Sequence, residues 1–128
     1  MFRRDAGSAL LGIQLVEGSP GAAVVRMTVR PDMLNGFDLL HGGLLFALGD
    51  TAFGYACNES DSVTLGTGAD IAFLRPVRVG QTLTAVAERR QLVGRSGIYD
   101  VTIADETGAV VAVLRGRSRV TGFPVRST

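Results

Sequence analysis

The residues best suited to chemistry in this 128-residue chain lie close together, around its only histidine. His41 is followed by Gly42 and Gly43, Asp50 comes eight residues after Gly42, and Asn35 lies six residues before the histidine. A glycine pair at a helix start lets another group approach the backbone, where the first-turn N–H groups have no partner within the helix. Such donors suit a polarised carbonyl or a developing oxyanion. A carboxylate on the same helix is a candidate general base or nucleophile.

Each of these residues also has a structural interpretation. The glycine pair can be a tight loop-to-helix junction, and a lone histidine before it can be a helix cap. Asp50 can pair with an arginine, and Asn35-Gly36 is a turn dipeptide. In the catalytic interpretation Asn35 holds a water or a carbonyl, while His41 orients Asn35 or assists a leaving group. Their joint occurrence at these spacings favours the catalytic interpretation.

One long helix is predicted from Gly42 to near Asn58, and its residues are apolar or small except for Asp50. A helix that is apolar nearly all round is usually buried, and an ionised carboxylate there is costly unless something solvates it. The helix should be about 25 Å long, which matches the width of a five- or six-stranded sheet.

Strand patterns dominate the rest of the chain. A weak helical segment is expected over residues 3–11, and a short strand around Ile13 and Leu15. The turn signals and alternating apolar residues then predict strands over 22–30, 63–73, 81–92, 97–104 and 109–120. Hairpin-like links favour an antiparallel sheet with one face covered. We therefore predict an α+β fold in which one long central helix is wrapped by a curved antiparallel β-sheet of five or six strands.

The spacing of Gly42 and Asp50 has a consequence for assembly. Eight residues along one helix separate them by about 12 Å, whereas two groups that act on one carbonyl must each come within about 3 Å of their target atoms. A second, antiparallel helix would bring its Asp50 level with this Gly42. If both residues are catalytic, the site is shared between subunits of a two-fold dimer. Pairing of exposed edge strands is one way to form that dimer.

Composition limits the class of protein. The length suits one domain over residues 1–128, with a loose tail from about residue 122. A formal net charge of +1 provides no general field for nucleic acid or a membrane surface. Cys57 is the only cysteine, which fits a reducing cytoplasm and a small buried hydrophobe. The N-terminus lacks the apolar region of a signal peptide, so a cytoplasmic, soluble protein is expected.

Several short motifs resemble those of the hotdog-fold acyl-CoA thioesterases, and in particular the thioesterases of phenylacetic acid degradation. They are Met33-Leu34-Asn35-Gly36, His41-Gly42-Gly43, Asp50-Thr51-Ala52-Phe53, Tyr55-Ala56-Cys57-Asn58, Phe73-Leu74-Arg75-Pro76 and Tyr99-Asp100-Val101. The resemblance implies hydrolysis of phenylacetyl-CoA or ring-hydroxylated phenylacetyl-CoA by a tetramer of two hotdog dimers. It also implies that Gly42 donates its N–H to the thioester oxygen beside Asn35, while Asp50 comes from the partner subunit. Some relatives carry Thr or Ser where this chain has Gly54, so that contact is not carried over.

The CoA portion of such a substrate carries phosphates, which arginine suits. Arg75, next to Pro76, and Arg95, in a glycine-rich turn, are the candidates, with Gly43, Thr51 and Ser96 as further substrate contacts. The expected reaction needs no metal and no bound cofactor. Two alternatives stay open: a hotdog hydratase or dehydratase, which acts on the acyl chain, and a non-catalytic acyl-CoA-binding module.

Overall fold

The computed structural model describes residues 5–58 and 62–124 of the chain. Within these ranges the helices and strands follow in the order α1 (Ala6–Leu10), β1 (Gln14–Ser19), β2 (Ala22–Thr28), α2 (Gly42–Cys57), β3 (Ser62–Phe73), β4 (Thr82–Val93), β5 (Ser96–Ala104) and β6 (Val110–Pro124). A short 3₁₀ turn, Pro31–Met33, lies between β2 and α2.

The strands form one antiparallel sheet in the order β1-β2-β4-β5-β6-β3. The helix α2 contacts all six strands, so it lies across the face around which the sheet curves. Alternate side chains of each strand point to that face and are buried, as Met27 of β2 and Leu83 of β4 illustrate. The predicted arrangement of one helix wrapped by a curved sheet is therefore confirmed, with six strands.

Only one side of α2 is buried, although its composition predicted burial nearly all round. The buried side is lined by Leu45, Leu48, Gly49, Ala52, Phe53, Ala56 and Cys57. The opposite side carries Gly43 and Asp50, both exposed, and the half-buried Ala47 and Gly54. The reason is that a single sheet covers only one side of a cylinder. Asp50 therefore lies at the surface of the single chain, and Cys57 is the buried small residue that was predicted.

The element boundaries correct two predictions. Residues 122–124 were expected to form a loose tail, but β6 continues through Pro124, which pairs with Ser62 of β3. Residues 125–128 lie outside the described ranges. The N-terminal helix was predicted over 3–11, whereas its described part is limited to Ala6–Leu10, because Asp5 caps it by accepting a hydrogen bond from the Ser8 N–H at 3.0 Å. Residues 3 and 4 of that prediction are not among the described ones.

The connection from β2 to α2 packs partly on the core, as its apolar composition predicted. Met33 and Leu40 in it are buried. Their backbone groups also tie the connection down: the Met33 carbonyl accepts from the His41 N–H at 2.9 Å, and the Leu40 N–H donates to the Val77 carbonyl at 2.8 Å. This anchoring sets the position at which α2 begins. Among the described residues, no helix has both the length and the apolar character needed to cross a membrane.

Candidate active site

The first turn of α2 leaves one backbone donor without a partner. His41 is the N-cap, and its Nδ1 accepts a hydrogen bond from the Gly43 N–H at 3.1 Å. The His41 carbonyl accepts from the Leu44 N–H at 3.0 Å and from the Leu45 N–H at 3.2 Å. The Gly42 N–H makes no hydrogen bond to any described residue. A single N–H at the positive end of a 16-residue helix is therefore available to an incoming oxygen.

Asn35 is held in a defined orientation by its own loop. Its Oδ1 accepts hydrogen bonds from the Phe37 N–H at 2.8 Å and from the Leu39 N–H at 3.2 Å. The backbone N–H of Asn35 donates to the Leu39 carbonyl at 2.7 Å. Because two donors already occupy the amide oxygen, the orientation of the amide is determined. Its NH₂ group has no partner in the described part of the chain and can donate to a ligand.

A cavity of about 320 Å³ brings Asn35 and Gly42 together. It is lined by Asn35, Leu39, Leu40, Gly42, Leu45, Phe73, Leu74, Arg75, Pro76 and Val77. Most of this lining is apolar, and the polar groups are few, as is usual for small-molecule sites. Arg75 also lines this cavity and donates a hydrogen bond to the Val110 carbonyl. The cavity therefore combines two unpaired N–H donors with one cationic side chain.

Asp50 lies on the exposed side of α2 and faces away from the core. Its carboxylate has no hydrogen bond and no ion pair with any described residue, so the interpretation as a structural ion pair finds no support there. Although the residue is exposed in the single chain, the protein packed around its carboxyl removes enough water to raise its pKa above the usual 3.8. An unpaired carboxylate with a raised pKa suits proton transfer.

The other predicted site residues occupy different surroundings. His41 is the helix cap that its structural interpretation describes, and its only side-chain hydrogen bond to a described residue is to Gly43 and not to Asn35. Gly43 has its N–H occupied by that bond. Thr51 directs its hydroxyl to the Ala47 carbonyl at 2.7 Å, and its oxygen lies 3.4 Å from Ser8 Oγ. These geometries give His41, Gly43 and Thr51 local structural tasks; their contacts with substrate stay predictions.

The two candidate arginines lie at opposite ends of the sheet. Phe73, just before Arg75, pairs with Ala112 of β6, whereas Ser96 pairs with Arg119 of the same strand. Seven residues of strand separate these positions, which is about 23 Å. Within one chain, Arg95 and Ser96 therefore do not reach the cavity that Arg75 lines.

Sequence reasoning did not select Phe73 as a site residue. It is the last residue of β3, it lines the cavity, and its ring lies against Gly42. The signal in the sequence was its place in the motif Phe73-Leu74-Arg75-Pro76, two residues before Arg75.

The family model described as the thioesterase superfamily matches residues 37–112, which include Gly42, Asp50 and Arg75. The chain belongs to this superfamily. The predicted enzyme class, a thioester hydrolase, is confirmed by this membership.

Individual relatives agree with the family match. The protein is 43% identical, over 95% of this chain and 87% of the relative, to the acyl-coenzyme A thioesterase PaaI of Escherichia coli strain K12. The solved structure of the E. coli PaaI protein from the phenylacetic acid degradation operon superposes with a TM-score of 0.95 at 42% identity, over 98% of this chain and 91% of that one. A mutant of the phenylacetic acid degradation protein PaaI from Thermus thermophilus has a TM-score of 0.86 at 32% identity, over 90% of this chain and 98% of that one. The predicted hotdog fold is thereby confirmed.

Proposed function

We propose that this protein is an acyl-CoA thioesterase that hydrolyses phenylacetyl-CoA or ring-hydroxylated phenylacetyl-CoA to the free acid and CoA. The E. coli relative is named an acyl-coenzyme A thioesterase, and its structure is described as that of a protein from the phenylacetic acid degradation operon. At 43% identity over nearly the whole chain, the same reaction is the natural proposal for this protein.

The observation that carries the proposal is the unpaired Gly42 N–H in the wall of a cavity that Asn35 also lines. In the proposed complex the thioester oxygen accepts a hydrogen bond from Gly42, and the Asn35 NH₂ group donates to the same oxygen or to the attacking water. Donors placed where negative charge develops stabilise the transition state more than the ground state. The dipole of α2 adds to this stabilisation.

Asp50 of a partner subunit would complete the site. In one chain, eight residues of helix put Gly42 and Asp50 about 12 Å apart, so one chain's pair does not serve one carbonyl. The exposed side of α2, which carries Asp50 among small residues, is suited to close approach by a second, antiparallel copy of the helix. Two equivalent sites then form per dimer. By the resemblance, two such dimers form a homotetramer. A single cysteine, Cys57, fits a protein that acts in the reducing cytoplasm.

The chemistry can follow either of two routes. With Asp50 as general base, a water oxygen attacks the carbonyl carbon while Asp50 takes the water proton. The tetrahedral oxyanion is held at Gly42, the C–S bond then breaks, and the CoA sulfur leaves as a thiolate that recovers the proton. With Asp50 as nucleophile, its oxygen forms a mixed anhydride as the thiolate leaves, and water hydrolyses that anhydride. Neither route requires a metal or a bound cofactor.

The CoA phosphates would be bound by arginine. Arg75 lies at the same cavity as the oxyanion donors, so it belongs to the subunit that supplies Gly42. Because Arg95 and Ser96 lie at the other end of the sheet, they would contact CoA only in a site completed by the other subunit.

The decisive experiment measures thiol release with a chromogenic thiol reagent across a panel of phenylacetyl-, hydroxyphenylacetyl-, benzoyl- and straight-chain CoA esters. We expect the highest kcat/KM for the arylacetyl esters. Hydration of an enoyl-CoA without thiol release would indicate a dehydratase, and binding without turnover would indicate a binding module; either result would refute the proposed function. A single turnover in ¹⁸O-water then tests for direct attack: if water opens the mixed anhydride at the Asp50 carbonyl carbon, the first acid product carries unlabelled protein oxygen, whereas the general-base route labels it.

A further inference from the structure

Phe73 stands against the helix terminus that carries the candidate oxyanion donor. A Cβ built on Gly42 would lie 3.2 Å from Cζ of the Phe73 ring and 3.5 Å from its Cε1. Ordinary carbon–carbon contacts are about 3.5–4.0 Å, so the ring already fills the space beside the Gly42 backbone. The tip of the ring, and not its face, meets the glycine. A methyl group at position 42 would therefore crowd the tip of the ring and force it to shift by a few tenths of an ångström.

The ring of Phe73 is half-exposed at a fixed point of the sheet. Phe73 is 55% exposed, yet it ends a strand whose pairing with Ala112 fixes its backbone. Its exposed part faces the same cavity that Asn35, Gly42 and Arg75 line. More than half of its surface is therefore open to a ligand in that cavity.

We propose that Phe73 is a positioning residue for the thioester; this inference rests on the proposed thioesterase function. In this role the tip of the ring, which lies beside the Gly42 backbone in the cavity wall, guides the substrate carbonyl to the Gly42 N–H from the part of the cavity that the ring leaves open. The ring also limits the access of bulk water to that donor. A hydrogen bond to a developing oxyanion is stronger where water is excluded, because the local dielectric constant is lower. Phe73 therefore acts through Gly42, on the transition state more than on ground-state binding.

The test is a double-mutant cycle between Phe73→Ala and Gly42→Ala with kcat and KM measured separately. We expect Phe73→Ala to lower kcat about tenfold and to change KM less than about threefold, since loss of a whole donor typically costs about 10²–10³-fold. Gly42→Ala retains the backbone N–H of residue 42 but adds a Cβ that lies in tight contact with the Phe73 ring. In a protein that already carries Phe73→Ala, this contact is absent. The factor by which Gly42→Ala lowers kcat should therefore be at least about fivefold smaller there than in the protein with Phe73 intact.

Two further variants keep the interpretation unambiguous. Phe73→Leu retains an apolar group at the same place and should keep more of the rate than Phe73→Ala; its folding is checked by thermal unfolding. Phe123→Ala removes an equally aromatic and even more exposed side chain, 72% exposed, at the other end of the sheet, and should leave kcat unchanged.

The proposal is overturned if the Gly42→Ala cost is the same in both backgrounds, if the Phe73→Ala loss appears only in KM, or if Phe123→Ala loses as much. Failure of the proposed function itself looks different: the unmodified protein would then release no thiol from any CoA ester.

Discussion

Asp50→Asn is the change that most directly examines the proposed mechanism. Asparagine has nearly the same shape as aspartate but neither takes up a proton nor attacks a carbonyl at neutral pH. Loss of a general base typically costs about 10²–10⁴-fold in rate, which corresponds to about 3–5 kcal/mol of activation free energy. We expect kcat to fall by that factor while KM stays within a few-fold. Because Asp50 has no partner among the described residues, the change leaves no buried group unpaired.

The stability of Asp50→Asn is a control for the rate measurement, because the pKa of Asp50 predicts the direction in which the free energy of unfolding should change. Burial raises the pKa of Asp50 above 3.8, so the folded state disfavours the ionised carboxylate relative to the unfolded chain. That penalty is fully present at pH values above the folded-state pKa and disappears below the unfolded value of about 4. Asp50→Asn should therefore be at least as stable as the unmodified protein at pH 7, and the difference should vanish near pH 3. A large loss of stability at pH 7 would mean that the rate loss reports misfolding.

Subunit mixing tests whether the site is shared. The second parent is Asn35→Asp, which keeps the oxygen that accepts from Phe37 and Leu39 but removes the NH₂ donor. Random re-pairing of equal amounts of the two inactive variants makes about half of the dimers hybrid. If each site takes Asn35 from one chain and Asp50 from the other, one of the two sites in each hybrid is intact. Mixing should therefore restore about one quarter of the unmodified activity.

The assay is thiol release from a phenylacetyl-CoA ester after the two variants have been unfolded together and refolded, with each variant refolded alone as the reference. Formation of hybrids is verified with a mass tag on one parent. If hybrids form and the activity stays at the mean of the two references, each site is built from a single chain, and the shared-site reasoning is wrong.

Three further predictions concern pH, CoA binding and packing. The kcat/KM of the unmodified protein should fall tenfold per pH unit below a pKa that lies above 3.8, because only the ionised Asp50 accepts a proton; a profile that shows no fall at pH 3.8 would contradict this role. Arg75→Glu should raise KM for CoA esters with kcat largely retained, because a phosphate contact stabilises the bound substrate and the transition state equally. An unchanged KM would mean that Arg75 has only a structural role. Gly116→Ala would put a Cβ 2.8 Å from ring carbons of Phe53 and should cost about 1–3 kcal/mol of unfolding free energy. Gly122→Ala, which meets nothing within 4 Å, should stay within about 0.5 kcal/mol in the same denaturant titration.

Local patterns in the sequence were sufficient for much of the fold. Alternation in β4 placed Leu83 and its neighbours at i+2 and i+4 on one face, and all three are buried. The period of a strand and the turn residues between strands act over a few positions, so they are readable from the chain alone. The long helix and the separation of Gly42 from Asp50 follow from the same local geometry. The inference that one chain's pair does not serve one carbonyl needed only the rise of a helix.

Local patterns were less accurate where two distant segments meet. Residues 122–124 lack a strong pattern of their own, and the pairing with β3 makes them part of the sheet. Asp50 was expected on a buried helix, but the sheet covers only the other side of α2. Burial depends on what lies opposite a residue, and the sequence of one element does not contain that information.

Residue types and spacing by themselves predicted the helix, a curved antiparallel sheet of five or six strands, and the candidate donors and carboxylate. Only the tertiary structure decided that Phe73 and Arg75 join Asn35 and Gly42 at one cavity, while Arg95 lies at the opposite end of the sheet. It also decided that His41 occupies the Gly43 N–H and leaves that of Gly42 free. The physical reason is that strand register and the anchoring of loops place residues that are 30 or more positions apart in the chain, and these long-range contacts are set by packing of the whole core.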